Sequence, residues 1–181
     1  MKTESLEALT VPVSRRDHYN GPLRASAQLL EYGDFECPAC GAAHPLVKAI
    51  QETLSGKLCF AFRNFPLTNL HPHSESAAEA AEAAGAQGAY WAMHDMLFEN
   101  QEALEDEDLA EYAAMLGLDS MRLTNELIFH VHEPRVRDDF MSGVRSGVNG
   151  TPTFFVNGIR YDGPRDLESV IAALTRATGW E

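Results

Sequence analysis

Glu31-Tyr32-Gly33-Asp34-Phe35-Glu36-Cys37-Pro38-Ala39-Cys40 is the stretch on which the fold turns. An apolar, β-prone segment runs into two cysteines spaced Cys-x-x-Cys, and a helix-like sequence follows. That context separates a redox dithiol from a chance pair of cysteines. A helix N-terminus carries partial positive charge and unpaired N–H groups, so it favours a thiolate over a thiol. Cys37 falls at that terminus. Pro38 suits the first helical turn, where its missing N–H costs nothing. Cys40 lies one turn further on, within reach of Cys37 for a disulfide. The pattern predicts thiol–disulfide chemistry at this pair.

Working outward, Ala27 to Tyr32 reads as the strand that feeds the motif. Cys37 to about Ser55 reads as the helix that leaves it, with a kink expected at Pro45 and a stop at Gly56. Lys57 to Asn64 is a second apolar strand, ended by Pro66. Residues before Gly21-Pro22 read as an irregular leader. The character then changes. Ser74 to Ala84 is rich in Ala and Glu and strongly helical. Gly85 and Gly88 bracket a break, after which Tyr90, Trp91, His94, Leu97 and Phe98 recur at helical spacing. Asp108 to Leu116 is a further helix. Asp119 suits an N-cap for another, running to about Phe129. Pro134 starts the next, which ends near Gly147. Thr153 to Val156 returns to strand, Asn157-Gly158 signals a two-residue hairpin, and Ile159 to Tyr161 completes it. Asp166 to Thr175 is a final amphipathic helix. The order is α/β with an all-helical insertion, and the first strand–helix–strand unit can form a right-handed parallel crossover.

The chain has 181 residues, 45% of them hydrophobic, enough for one domain with a real core and an inserted subdomain. Its 14 basic and 27 acidic side chains give a formal charge of -13. Such a surface repels phosphate backbones, so no nucleic-acid partner is expected. No basic amphipathic stretch suggests a membrane surface, and no membrane insertion is expected. Met1 to Gly21 has scattered charges and no apolar h-region, which reads as neither signal peptide nor membrane span. The expected compartment is therefore cytoplasmic, with periplasmic as the alternative should a leader be missing. Three cysteines cannot build a disulfide framework. Cys59, in Leu58-Cys59-Phe60-Ala61-Phe62, reads as a small hydrophobe in a buried strand.

With these residues in view, the chain resembles the DsbA-type thioredoxin-fold oxidoreductases. The resemblance rests on Cys37-Pro38-Ala39-Cys40 after Tyr32-Gly33-Asp34-Phe35-Glu36, and on Gly147-Val148-Asn149-Gly150-Thr151-Pro152-Thr153-Phe154-Phe155-Val156-Asn157-Gly158. Phe65-Pro66-Leu67, His71-Pro72-His73 and Tyr90-Trp91-Ala92-Met93-His94 add to it. It covers nearly all of the chain after about Asp17. It is greatest to bacterial thioredoxin-like domains found alone or fused behind sodium/proton antiporters. The resemblance implies a thioredoxin fold with an all-helical insertion: residues 1–66 and 148–181 as a discontinuous thioredoxin domain, and 67–147 as the insertion. It also implies a cis peptide between Thr151 and Pro152 facing the dithiol. X-Pro makes cis accessible, whereas an ordinary peptide would cost about 2.5–4 kcal/mol. Such a loop leaves an extended edge to which a substrate peptide can add as a strand.

The expected roles follow. Cys37 is the nucleophile and Cys40 the resolving thiol. The resemblance aligns Glu31 with a buried acid beneath the dithiol, where a carboxyl of raised pKa can take the proton of Cys40, directly or through water. Pro38, Ala39, Thr151 and Pro152 are the expected substrate-binding residues. Ala39 stands where strongly oxidising relatives carry a polar residue, often histidine. The potential is therefore expected between roughly -270 mV for thioredoxin and roughly -120 mV for DsbA. Protein thiols and disulfides are the expected substrates, with an unknown redox partner and no cofactor. No metal is expected: His71-Pro72-His73 lacks partners at ligand spacing and reads as a loop-to-helix junction. His44 and His94 read as helix-surface or boundary residues. The Trp91, Leu97 and Phe98 stripe reads as core, and the acidic run from Glu102 to Asp108 as a solvated loop and helix start.

Three competing readings remain. One is a zinc-binding structural module, which needs two more ligands than Cys37 and Cys40. Another is a non-catalytic docking domain, which has no need of both cysteines. The third is a glutathione-dependent enzyme, whose relatives commonly carry serine at the place of Cys37.

Overall fold

The computed structural model describes residues 7–179. Residues 1–6 of the expected leader and the last two residues of the expected thioredoxin domain lie outside that range. The elements run β1 (His18–Asn20), β2 (Ala27–Gly33), α1 (Pro38–Thr53), β3 (Leu58–Asn64), α2 (Ser74–Ala86), α3 (Tyr90–Glu99), α4 (Asp106–Met115), α5 (Ser120–Ile128), α6 (Glu133–Arg145), β4 (Thr153–Val156), β5 (Ile159–Tyr161) and α7 (Leu167–Thr178).

A sheet in the order β1-β3-β2-β4-β5 forms the centre. β2 and β3 are parallel, with Ala27 opposite Leu58 and Gly33 opposite Asn64. The crossover between them is α1. β4 runs antiparallel to β2, with Glu31 opposite Phe154 and Tyr32 opposite Thr153, and β5 closes the hairpin on β4. Alternation along the strands sorts side chains to two faces. Leu29, Phe60, Phe62, Phe154 and Val156 join a large core with Cys40, Val47 and Ile50 of α1 and Val170 and Leu174 of α7. The same apolar cluster continues into α2, α3, α4 and α5 through Ala77, Ala81, Met93, Leu97, Leu109 and Leu123. On the other face Leu30, Tyr32, Ala61 and Phe155 meet Phe65, Val148 and Phe140 of α6. α1 continues through Pro45.

The leader departs from its reading. Asp17 and β1 are folded onto the sheet, and β1 pairs antiparallel with β3. The cause is Arg63, which β3 points into the interior at 2 % exposure. Its Nε donates to Asp17 Oδ1 at 2.6 Å, and Nη2 donates to Asp17 Oδ2 at 3.2 Å and to Pro12 O at 3.2 Å. Nη1 donates to Val11 O and the Tyr32 hydroxyl, each at 2.9 Å. All five guanidinium protons are thus satisfied, as burial of that charge demands. His18 stacks on Tyr90 with ring centroids 3.5 Å apart, and Trp91 Nε1 donates to Tyr19 O at 3.3 Å, so α3 covers β1.

Candidate active site

The C-terminal end of β2, the first turn of α1 and the loop before β4 meet at one end of the sheet. Cys37 is the N-cap residue of α1 and Pro38 opens the helix. The Cys37 carbonyl accepts from the N–H groups of Cys40 at 3.0 Å and Gly41 at 3.1 Å. Cys37 and Cys40 are 7 % and 0 % exposed, and both thiols are free. The Thr151–Pro152 peptide is cis, and Cys37 Sγ donates to Thr151 O at 3.5 Å. The sequence-expected residues Cys37, Pro38, Ala39, Cys40, Thr151 and Pro152 are therefore brought together.

Their electrostatics divide the two sulfurs. The Cys37 thiol is pulled down to about 5, first by the hydrogen bond from the Cys40 thiol. Burial opposes this, while Thr151 and the backbone N–H groups of Cys40 and Ala39 add to it. The Thr151 hydroxyl is buried and bonds no other N or O atom among the described residues, so an ionised Cys37 sulfur is its natural acceptor. Cys40 is pushed far up, first by burial, then by its bond to Cys37 and by the Glu31 charge. One sulfur is thus a ready nucleophile and the other holds its proton.

Glu31 lies on the same face of β2 as Leu29, at 3 % exposure. Burial lifts its carboxyl to about 8; the Arg165 cation opposes that and the Cys37 charge adds to it. A Cβ on Gly33 would run into the Phe62 ring and come within 3.2 Å of Glu31 Oε1, so this glycine makes room for the acid.

Four residues at the site escaped the sequence reading. Asp34, 1 % exposed, accepts from Glu36 N at 2.9 Å, Leu67 N at 2.9 Å and His71 Nδ1 at 2.8 Å. Gln101, in the loop after α3, donates Nε2 to Phe35 O at 2.8 Å and Cys37 O at 2.9 Å. Arg165 donates Nη2 to Pro152 O at 3.0 Å. The fourth is His71 itself, read from the sequence as a plain junction. Only Asp34 adjoins the motif; the others come from distant segments with no spacing to mark them.

His44 and His94 also depart from their reading. They are 8 % and 2 % exposed, packed between α1 and α3. Burial pushes His94 down to about 4, against the pull of Asp95, and its ring stands edge-on to Phe35, Phe62 and Phe98. With Asp95 they form a group of close metal-ligating side chains among the described residues, and it contains neither Cys37 nor Cys40.

Residues 14–176 match the sequence model of the family described as Thioredoxin. The chain belongs to the thioredoxin family. Among named relatives it is similar to Na(+)/H(+) antiporter NhaA 1 of Salinispora arenicola, 44% identical over 176 residues, which are 97% of this chain and 27% of that protein. A second is Na(+)/H(+) antiporter NhaA of Herminiimonas arsenicoxydans, 42% identical over 158 residues, 87% of this chain and 25% of that protein. The chain thus spans about a quarter of the length of these relatives. Among solved structures it resembles BdbD from Bacillus subtilis in its oxidised form, with TM-score 0.85, 22% identity, and 93% and 96% of the two chains covered. A thioredoxin-like oxidoreductase from Silicibacter pomeroyi gives 0.81, 24%, 93% and 95%. The thiol-disulfide exchange protein alpha-DsbA2 from Wolbachia pipientis gives 0.77, 21%, 90% and 88%. These likenesses establish a DsbA-like thioredoxin fold with a five-stranded sheet. No helix among the described residues is long and apolar enough to cross a membrane.

Proposed function

We propose that this chain is a thiol–disulfide oxidoreductase that exchanges disulfides with protein substrates through Cys37 and Cys40. The observation that carries the reading is geometric: Cys37 caps the start of α1 with Cys40 one turn on, and the carbonyl before cis Pro152 lies 3.5 Å from Cys37 Sγ, a setting that lowers the Cys37 thiol and raises Cys40. In the reducing direction the Cys37 thiolate attacks a substrate disulfide and forms a mixed disulfide, and the departing substrate sulfur takes a proton. Cys40 then attacks Cys37 Sγ. Its proton passes to Glu31, the second substrate sulfur leaves, and Cys37–Cys40 is the disulfide formed. Two electrons have moved from this dithiol to the substrate. The reverse sequence oxidises a substrate dithiol.

Thr151 and Pro152 border the nucleophile and would receive the substrate peptide as an added strand, with Pro38 and Ala39 facing it. Compartment sets the direction: a glutathione-reducing cytoplasm favours reduction of substrates, an oxidising periplasm favours disulfide formation. The antiporter name belongs to proteins about four times as long, and the segment aligned here is the thioredoxin-family part. The zinc reading finds no third and fourth ligand, since the one group of metal-ligating residues among those described omits both cysteines.

Cys37→Ser tests the assignment. It is expected to abolish reduction of a protein disulfide and oxidation of a protein dithiol, whereas Cys40→Ser traps the mixed disulfide. Turnover that survives in Cys37→Ser would refute the proposal.

A further inference from the structure

The loop from Phe65 to His73 is stitched to the loop that ends in Cys37 at three points. Leu67 N and His71 Nδ1 both donate to Asp34 Oδ2, at 2.9 and 2.8 Å, and His73 N donates to Glu36 Oε2 at 2.7 Å. Asp34 in turn accepts from Glu36 N with Oδ1 at 2.9 Å and from Cys37 N with its carbonyl at 3.1 Å. The Asp34 side chain is wholly buried, while that of His71 is 17% exposed. His71 is held in place from behind: its carbonyl accepts from Ser74 Oγ at 2.8 Å, and its N–H donates to Leu67 O at 2.9 Å. One ring nitrogen is therefore fixed on a buried acid. The hydrogen bond to Asp34 uses Nδ1, and the side chain keeps a partly exposed edge.

Between the cysteines, Ala39 offers no polar side chain to the thiolate. We propose that His71 is a positioning residue for Cys37: through Asp34 it fixes the loop that ends in the nucleophile, and in its protonated form it adds a cation to the hydrogen-bonded loops that hold Cys37. This deepens the thiol-exchange reading and rests on it.

Three charges face the imidazole: Asp34 and Glu36 from the loop after β2, and Cys37 at the head of α1. Partial burial works against the imidazolium. The bonded Asp34 carboxylate, joined by the charges of Cys37 and Glu36, outweighs it, and His71 is raised above the ordinary histidine value. Coupling between two charges is reciprocal. The imidazolium therefore favours the thiolate in return, though by less than the hydrogen bonds from Cys40 and Thr151 that chiefly lower Cys37. A favoured thiolate stabilises the reduced form, so protonated His71 makes the pair more oxidising. Forming the Cys37–Cys40 disulfide removes the thiolate, and His71 must then release its proton more readily.

The native protein supplies the first test. The His71 imidazole is titrated by NMR in the dithiol form and again in the disulfide form. Its midpoint is expected to fall on oxidation. A midpoint identical in the two forms overturns the proposal. The second test uses His71→Gln, which keeps a donor for Asp34 but cannot carry charge. Below pH 6 its Cys37 should alkylate roughly twofold more slowly than the native protein, as expected for losing one partly screened charge. Its equilibrium with glutathione should shift toward the disulfide by a similar factor. A purely structural histidine would lower the unfolding midpoint of His71→Ala and leave the pH profile of His71→Gln on top of the native curve; that result also overturns the proposal. Failure of the exchange reading looks different, since Cys37→Ser would then retain turnover whatever His71 does.

Discussion

Glu31 is an acid 3 % exposed on a central strand, with its carboxyl lifted to about 8 by burial. At neutral pH it is therefore mostly neutral, which a buried carboxyl next to a thiolate has to be. Only its ionised form can take the Cys40 proton. Release of the mixed disulfide should accordingly speed up with pH and then level off, with a midpoint below about 8, because the Cys37 charge that helps raise Glu31 is tied up in that intermediate. Glu31→Gln should remove that rise and slow release at pH 8.5 by roughly 10²-fold, the size of a lost general base. Alkylation of Cys37 should change little, because the hydrogen bond from Cys40 stays in place. Single-turnover quench experiments with a mixed-disulfide substrate measure the release step, and a rise that persists in Glu31→Gln would exclude the acid as proton acceptor. The Cys-x-x-Cys spacing marked the cysteines, and the family resemblance pointed to the acid ahead of them, all within ten residues. Arg165 was not legible, because nothing local in Pro164-Arg165-Asp166 reveals that its guanidinium reaches the Pro152 carbonyl.

At the scale of elements, the site is a junction of three segments, and Gln101 closes it. Its amide joins the loop after α3 to the carbonyls of Phe35 and Cys37. Gly41 lies directly beneath, and a Cβ there would collide with the Gln101 side chain. Gly41→Ala should therefore displace Gln101 and strand the Phe35 carbonyl, costing about 1–3 kcal/mol less the roughly 1 kcal/mol that alanine gains over glycine inside a helix. Gln101→Ala should cost a similar amount. In the double variant the two costs should overlap rather than add, because both act through the same two bonds. Urea midpoints of the four proteins decide it, and strict additivity would contradict the clash. Elements with strong local signals appeared where the sequence put them. Asp119 caps α5 by accepting from Arg122 N at 2.9 Å, and Asn157, at φ 47, turns the β4–β5 hairpin with Gly158. Elements made by tertiary contact did not. β1 is three residues, too short for a period, and exists because Asp17 pairs with a buried arginine 46 residues away. His94 looked like a surface residue for a related reason: helical periodicity marks an apolar stripe, and a histidine buried among aromatic rings carries no apolar signature of its own.

Across the whole molecule, the two redox forms differ in how their stability depends on pH. In the dithiol form Cys37 ionises at about 5, far below its ordinary value. A depressed pKa contributes stability that is complete above the unfolded value and lost as pH falls through the folded one. That contribution therefore grows between about pH 5 and pH 9. The disulfide form has no thiolate and lacks it. Glu31 and Asp139 act in the opposite sense in both forms. Burial raises them, to about 8 and about 7, so the stability they lend below the ordinary carboxylate value is lost as pH rises through those points. On these three groups the disulfide form should weaken from about pH 5 to pH 8, and the dithiol form should weaken less, because the Cys37 contribution offsets one of the two acids. The margin of the reduced protein's melting temperature over the oxidised one's should therefore grow with pH, by about 2–4 °C for each kcal/mol. Paired melting curves of the two forms from pH 5 to pH 9 give the measurement. A margin that stays flat across that range would mean that Cys37 is not held ionised by the fold. Oxidation would then have no folding energy to draw on, and the asymmetry of the two sulfurs would have to be sought in the substrate complex instead.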